Sequence, residues 1–100
     1  MKVCVTADGD NLEAQVDSRF ARCNYFLFVD TETLKYEAVK NPFKDADHGA
    51  GPQAVQFVLD RGVEKIITGN IGPKAEMILK SAGIEVIFGS GKVKDVIKNL

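Results

Sequence analysis

The stretch Gly51–Val86, GPQAVQFVLDRGVEKIITGNIGPKAEMILKSAGIEV, decides the fold because it states one pattern twice. Gly51-Pro52-Gln53-Ala54 opens a run with Val55, Val58 and Leu59 at helical spacing, and Gly62-Val63 follows eleven residues after Gly51. Gly72-Pro73-Lys74-Ala75 opens another, with Ala75, Ile78, Leu79 and Ala82 on one face, and Gly83-Ile84 follows eleven residues after Gly72. The copies are offset by 21 residues, 51 to 72. Proline suits the first helical position, where its φ is already helical and its missing N–H is not needed. Glycine suits the residue just past a helix end. After each glycine stop comes a β-branched run, VEKIITG (63–69) and then IEVIFG (84–89), which predicts a strand. Each copy is a helix–strand unit, too short for a solenoid repeat.

Outward from this stretch, KVKDVIKNL (92–100) carries Val93, Val96, Ile97 and Leu100 at i, i+3, i+4, i+7, predicting a terminal helix. Upstream, KVCVT (2–6) and YFLFVD (25–30) read as buried strands, and LKYEAVK (34–40) alternates as a half-buried one. The turn between the last two makes them a hairpin. The order βββαβαβα places an antiparallel meander before parallel, right-handed crossovers. One α/β domain over residues 1–100 follows. It holds a five-stranded mixed sheet of order 3-2-1-4-5, strand 2 antiparallel, flanked by three helices: the ribonuclease H-like arrangement.

Composition narrows the function. Thirteen Lys and Arg against fourteen Asp and Glu leave a formal charge of −1, which gives no general electrostatic reason to bind nucleic acid or an anionic membrane. The opening MKVCVTADGD has too short an apolar run for a signal peptide, so a cytoplasmic protein is expected. Cys4 and Cys23 form no CxxC pair and read as two free thiols in a reducing compartment.

Topology selects where to look for a site. Strands 1, 3, 4 and 5 run parallel, so their C-terminal ends share one edge of the sheet, where ligands of open α/β sheets bind. The segments leaving it are 7–24, 41–51, 69–72 and 89–91. The first spans about 18 residues, long for a connection inside a domain. The same edge receives the N-termini of all three helices, whose free N–H groups favour an anion. His48 lies in one of these loops, in KDADHGAGPQA (44–54), with Cys23 and Arg19 or Arg22 within reach of the same shelf.

Each candidate has a plain reading beside the functional one. His48 is either a solvated loop histidine or an imidazole ligand for iron or zinc. One histidine makes no metal cage, but it can anchor a preformed cluster that brings its own ligands. Cys4 reads as a small core residue. Cys23 is either core or a soft metal ligand. Arg19 and Arg22 are either solvated or paired with an anionic ligand. Gly89-Ser90-Gly91-Lys92 lacks the phosphate-loop pattern, since Val86 stands where its first glycine belongs and Val93 where its Ser or Thr belongs. Two-metal hydrolysis needs convergent carboxylates. Asp8 ends strand 1, strand 4 ends without an acid, and Asp8, Asp10, Asp45 and Asp47 read as loop acids. No enzyme is expected.

These residues carry a resemblance. MKVCVTADGDNLEAQVDSRF, FARCNYFLFVD and NPFKDADHGAGPQAVQFVLDRGVEKIITGNIGPKAEMILKSAGIEV resemble the dinitrogenase iron-molybdenum cofactor family, the NifX-like group that includes the C-terminal domain of NifB. The most specific parts are His48-Gly49-Ala50-Gly51-Pro52 and Gly69-Asn70-Ile71-Gly72-Pro73. The resemblance implies a small carrier that binds the iron-molybdenum cofactor of nitrogenase, or its iron-sulfur precursor, and passes it between cofactor-assembly and acceptor proteins. It implies contacts at His48, Gly49, Gly51, Asn70, Gly72, Arg19 and Arg22, with His48 and Cys23 as metal ligands. Many relatives carry His and Gly where this chain has Arg19 and Ala21. The other reading is a metal-free binding module for a small anion or a protein partner, in a host that does not fix nitrogen. A monomer is expected.

Overall fold

The structure is a computed structural model that describes residues 1–100. Its elements are β1 (Lys2–Ala7), β2 (Tyr25–Asp30), β3 (Tyr36–Lys40), α1 (Ala50–Leu59), β4 (Lys65–Thr68), α2 (Pro73–Ser81), β5 (Glu85–Phe88) and α3 (Val93–Lys98). They form one sheet of order β3-β2-β1-β4-β5. β2 pairs antiparallel with β1 and β3, and β4 pairs parallel with β1 and β5. This is the expected α/β fold.

Alternation along the strands splits the core in two. Cys4, Phe26, Phe28 and Ile66 face α1 and α2, where they meet Ala54, Val55, Val58, Ala75 and Leu79. Val3, Val5, Leu27, Val29 and Ile67 face the other way, onto Val93 and Ile97 of α3. β1 is central and is buried from Val3 to Ala7. β3 is an edge strand, with Ala38 and Val39 half buried and Tyr36 and Glu37 exposed. No helix is long and apolar enough to cross a membrane.

Three local expectations shift. Leu34 is not in β3; its φ is 61°, and its N–H donates to the Asp30 carbonyl in a turn that the Asp30 carboxylate caps through the Glu32 and Thr33 N–H groups. Pro52 is not the first residue of α1. That helix starts two residues earlier, at Ala50, because Gly49 turns the chain at φ 70° and its carbonyl accepts the Gln53 N–H at 3.1 Å. Gly62 does not directly follow the helical residues: α1 ends at Leu59 with Asp60 as its cap, and Gly62 sits beyond at φ 69°. Pro73 does open α2, with Gly72 as its cap, and Gly83 follows the Ala82 cap at φ 81°.

Candidate functional site

β1 and β4 lie side by side and end together, so the chains leaving them meet. Thr6 near the end of β1 and Thr68 at the end of β4 are fully buried, with their hydroxyl oxygens 2.8 Å apart. The Thr6 hydroxyl also reaches the Asp17 carbonyl at 3.0 Å, and the Thr68 hydroxyl the Asn70 carbonyl at 3.3 Å. Backbone bonds close the junction: Asp17 N–H donates to the Thr6 carbonyl and Gly69 N–H to the Asp17 carbonyl. A Cβ at Gly69 would lie 2.6 Å from the Ser18 Cα, so only glycine permits this approach. The long 7–24 segment is thereby pinned to the 69–72 loop. Short bridges, Ala7 to Val16 and Gln15 to Lys92, fasten it further.

Above this junction lies an open groove of about 440 Å³, lined by Ser18 to Arg22 on one side and Asn70 to Pro73 on the other. Arg19 and Arg22 border it from the first segment. Asn70 and Gly72 border it from the second, where α2 begins without a side-chain cap. Free N–H groups of the first helical turn favour an anion there. Lys74 follows Pro73 in that turn, and Glu76 is its one acid.

Asp17 governs Arg19. Its carboxylate is almost entirely buried and accepts the Arg19 backbone N–H at 3.0 Å, Arg19 Nε at 3.2 Å, Arg19 Nη2 at 3.3 Å and the Asn24 N–H at 3.3 Å. The hydrogen bond and charge of Asp17 raise the Arg19 pKa above the ordinary guanidinium value. Arg22 instead donates from Nη1 to the Lys44 carbonyl at 2.8 Å, which ties the groove to the 41–51 loop. Asn41, buried, reinforces that tie by donating to the carbonyls of Ala21 and Cys23.

Of the residues expected at a site, Arg19, Arg22, Asn70 and Gly72 therefore border one groove. His48, Gly49 and Gly51, expected at the same site, are not among the residues that line it. A Cβ on Gly51 would lie 3.8 Å from the Cβ of Ala75 in the first turn of α2, so the starts of α1 and α2 touch. His48 is exposed and three residues from Gly51, hence within about 11 Å of it along the chain. The Gln53 side chain donates to the carbonyls of His48 and Gly49 and holds this turn. Cys23 lies in the core with Cys4. Burial first, then the nearby Asp17 charge, push its thiol up to about 12, and the Asn41 amide lies 3.7 Å from its sulfur. A thiol held this way is protonated and shielded, unlike reactive thiolates, which sit exposed beside positive charge. No three His, Cys, Asp or Glu side chains converge as a metal cage.

The sequence reading missed Asp17, Ser18, Thr6 and Thr68. Asp17 was findable: an aspartate whose oxygen takes the N–H two residues on is a common turn, and Asp17-Ser18-Arg19 has that form. The threonine pair carries no local signal, because its partners lie 62 positions apart.

Comparison with known proteins agrees with this architecture. The model of the family described as dinitrogenase iron-molybdenum cofactor matches residues 1–100. The apo form of the orange protein from Desulfovibrio gigas has a TM-score of 0.89 at 36% identity, covering 98% of this chain and 84% of that one. A NifB candidate from Thermotoga, TM1290, has a TM-score of 0.80 at 41% identity, covering 97% and 84%. The uncharacterized protein MJ0580 of Methanocaldococcus jannaschii is 33% identical over 89 residues, 86% of this chain and 72% of its own length. With a family match over its whole length and relatives above 30% identity, the chain belongs to the dinitrogenase iron-molybdenum cofactor family.

Proposed function

We propose that the protein is a non-catalytic carrier of an anionic metal cluster, the iron-molybdenum cofactor or its iron-sulfur precursor, taken as cargo and handed between cofactor-assembly and acceptor proteins. One observation carries the reading: two arginines and the uncapped start of α2 border a single open groove on the sheet edge where the loops converge. Arginine donors and helix N–H groups suit a cluster with carboxylate and sulfide acceptors. In this reading Arg19 and Arg22 hold the anionic face, Asn70 and Gly72 form the opposite wall, and His48, beside Gly49 and Gly51, supplies an imidazole to a metal at the rim. Cys23 joins only if the 17–24 segment opens, since its thiol is buried. The groove is open to solvent, as transfer to another protein requires.

A second reading is favoured by the Arg19–Asp17 pair, which puts a guanidinium and no metal ligand in the groove wall: a metal-free module for a small anion or protein partner. One anaerobic experiment separates them. The apo protein is titrated with isolated iron-molybdenum cofactor and with its iron-sulfur precursor, and retained iron and molybdenum are assayed after gel filtration. Stoichiometric retention, abolished in His48→Ala and reduced in Arg22→Ala, is the expected result. No retention by the native protein overturns the carrier reading and leaves the anion module.

A further inference from the structure

The groove reading leaves one unusual group unexplained: a nearly buried carboxylate beneath a wall meant for anions. Asp17 lowers the positive charge of the groove, which works against anion binding if Arg19 acts only as a charge. The geometry shows what it does instead. Asp17 Oδ1 takes Arg19 Nε and Asp17 Oδ2 takes Arg19 Nη2, while the Arg19 side chain remains about half exposed. A guanidinium has five N–H donors in one rigid plane. Two are used by Asp17, so Nη1 and the second hydrogen of Nη2 are left, with their plane fixed. Asp17 is itself fixed, through its backbone bonds to Thr6 and Gly69 and through the Asn24 N–H on its carboxylate.

We infer that Asp17 is a positioning residue that presents Arg19 to the groove as an oriented donor fork, so that the groove selects carboxylate-bearing anions by geometry rather than by net charge. This rests on the groove being the ligand site, though not on the ligand being a metal cluster. A pre-oriented fork loses little freedom on binding and matches two carboxylate oxygens at once. An untethered lysine at the same place offers charge without that plane.

The sign of one substitution separates positioning from neutralisation. Asp17→Asn removes a negative charge from beneath the groove. If Asp17 only neutralises Arg19, citrate, used as a carboxylate probe, binds tighter to this variant. If Asp17 positions Arg19, citrate binds about tenfold more weakly despite the gained charge. Arg19→Lys, an exposed change that keeps the charge, serves where Asp17→Asn unfolds, and the same weakening is expected. The double variant is expected to lose no more than either single one, since both break one unit.

A second readout needs no ligand. In nitrogen-resolved NMR of the native chain, the Arg19 Nε–H is expected to exchange slowly with water and to move to the free-arginine position in Asp17→Asn. Tighter or unchanged citrate binding in Asp17→Asn, full additivity of the two changes, or a rapidly exchanging Arg19 Nε–H in the native chain overturns the inference. So does a native chain that binds no citrate. A native chain that binds citrate in this Asp17-dependent way but retains no cluster ends the carrier reading alone.

Discussion

The two Gly-Pro-x-Ala segments are alike in sequence and different in use. Before α2, Gly72 is extended at φ −67° and ψ 150°, is the helix cap, and borders open space in the groove. Before α1, Gly51 is already helical, and the turn is made two residues earlier by Gly49 in the left-handed region. Proline tolerates both settings, because any residue in the first turn of a helix lacks an intrahelical partner for its N–H. What differs is what precedes it. A left-handed glycine lets α1 begin early and brings its first turn against Ala75. An extended glycine delays α2 and leaves its cap and Pro73 bordering the groove. The motif thus marks a helix start without fixing its position, and only one of the two starts borders the groove.

Glycine substitutions test that difference, and the largest effect is expected in the loop that leads to α2. Gly69→Ala drives a methyl into the Ser18 backbone, so roughly 3 kcal/mol of stability is lost in urea unfolding, and ligand retention falls with it. A loss below about 1 kcal/mol would mean that the 17–18 segment yields freely. At α1, Gly49→Ala forces a left-handed backbone on alanine and costs about 1–2 kcal/mol. Gly51→Ala goes the other way. Its methyl meets Ala75 at ordinary contact distance, and replacing glycine inside a helix stabilises by about 0.5–1 kcal/mol. A destabilised Gly51→Ala protein would show that the α1–α2 contact is tighter than described. The smallest change in stability, within about 0.5 kcal/mol, is expected for Gly72→Ala, whose backbone suits alanine and whose Cβ meets nothing. That variant nonetheless places a methyl at the groove, so its ligand retention drops while its unfolding curve does not move.

The sheet order was legible because hydrophobic period and glycine stops act locally. Val55 with Val58 and Leu59, or Val93 with Val96 and Ile97, declare a helix face without help from the rest of the chain. Boundaries were less legible. Leu34 fits the alternation of β3, yet the Asp30 cap turns the chain through it. For the candidate site, the sheet edge and its loops could be read from topology, and Arg19, Arg22, Asn70 and Gly72 border one groove there. Burial of Cys23 was one of two readings that the sequence left open, because the segment carrying it is held by Asn41, eighteen residues further on. Asp17 escaped for a similar reason. Its turn is local, but its importance comes from Thr6 and Gly69, which pairing of β1 with β4 brings to it.

The junction of Thr6, Thr68, Gly69 and the Asp17 carbonyl has a consequence for how binding responds to solution conditions. It consists of hydroxyls and backbone groups alone, none of which gains or loses a proton between mild acid and mild base. The base of the groove, where Asp17 meets Gly69, is therefore held at one spacing across that range. One wall of the groove bears the cations Arg19 and Arg22, whose attraction for an anion fades as salt shortens the reach of charge to about 8 Å at physiological ionic strength. Salt tunes how strongly the groove holds its ligand, while the spacing at its base stays the same.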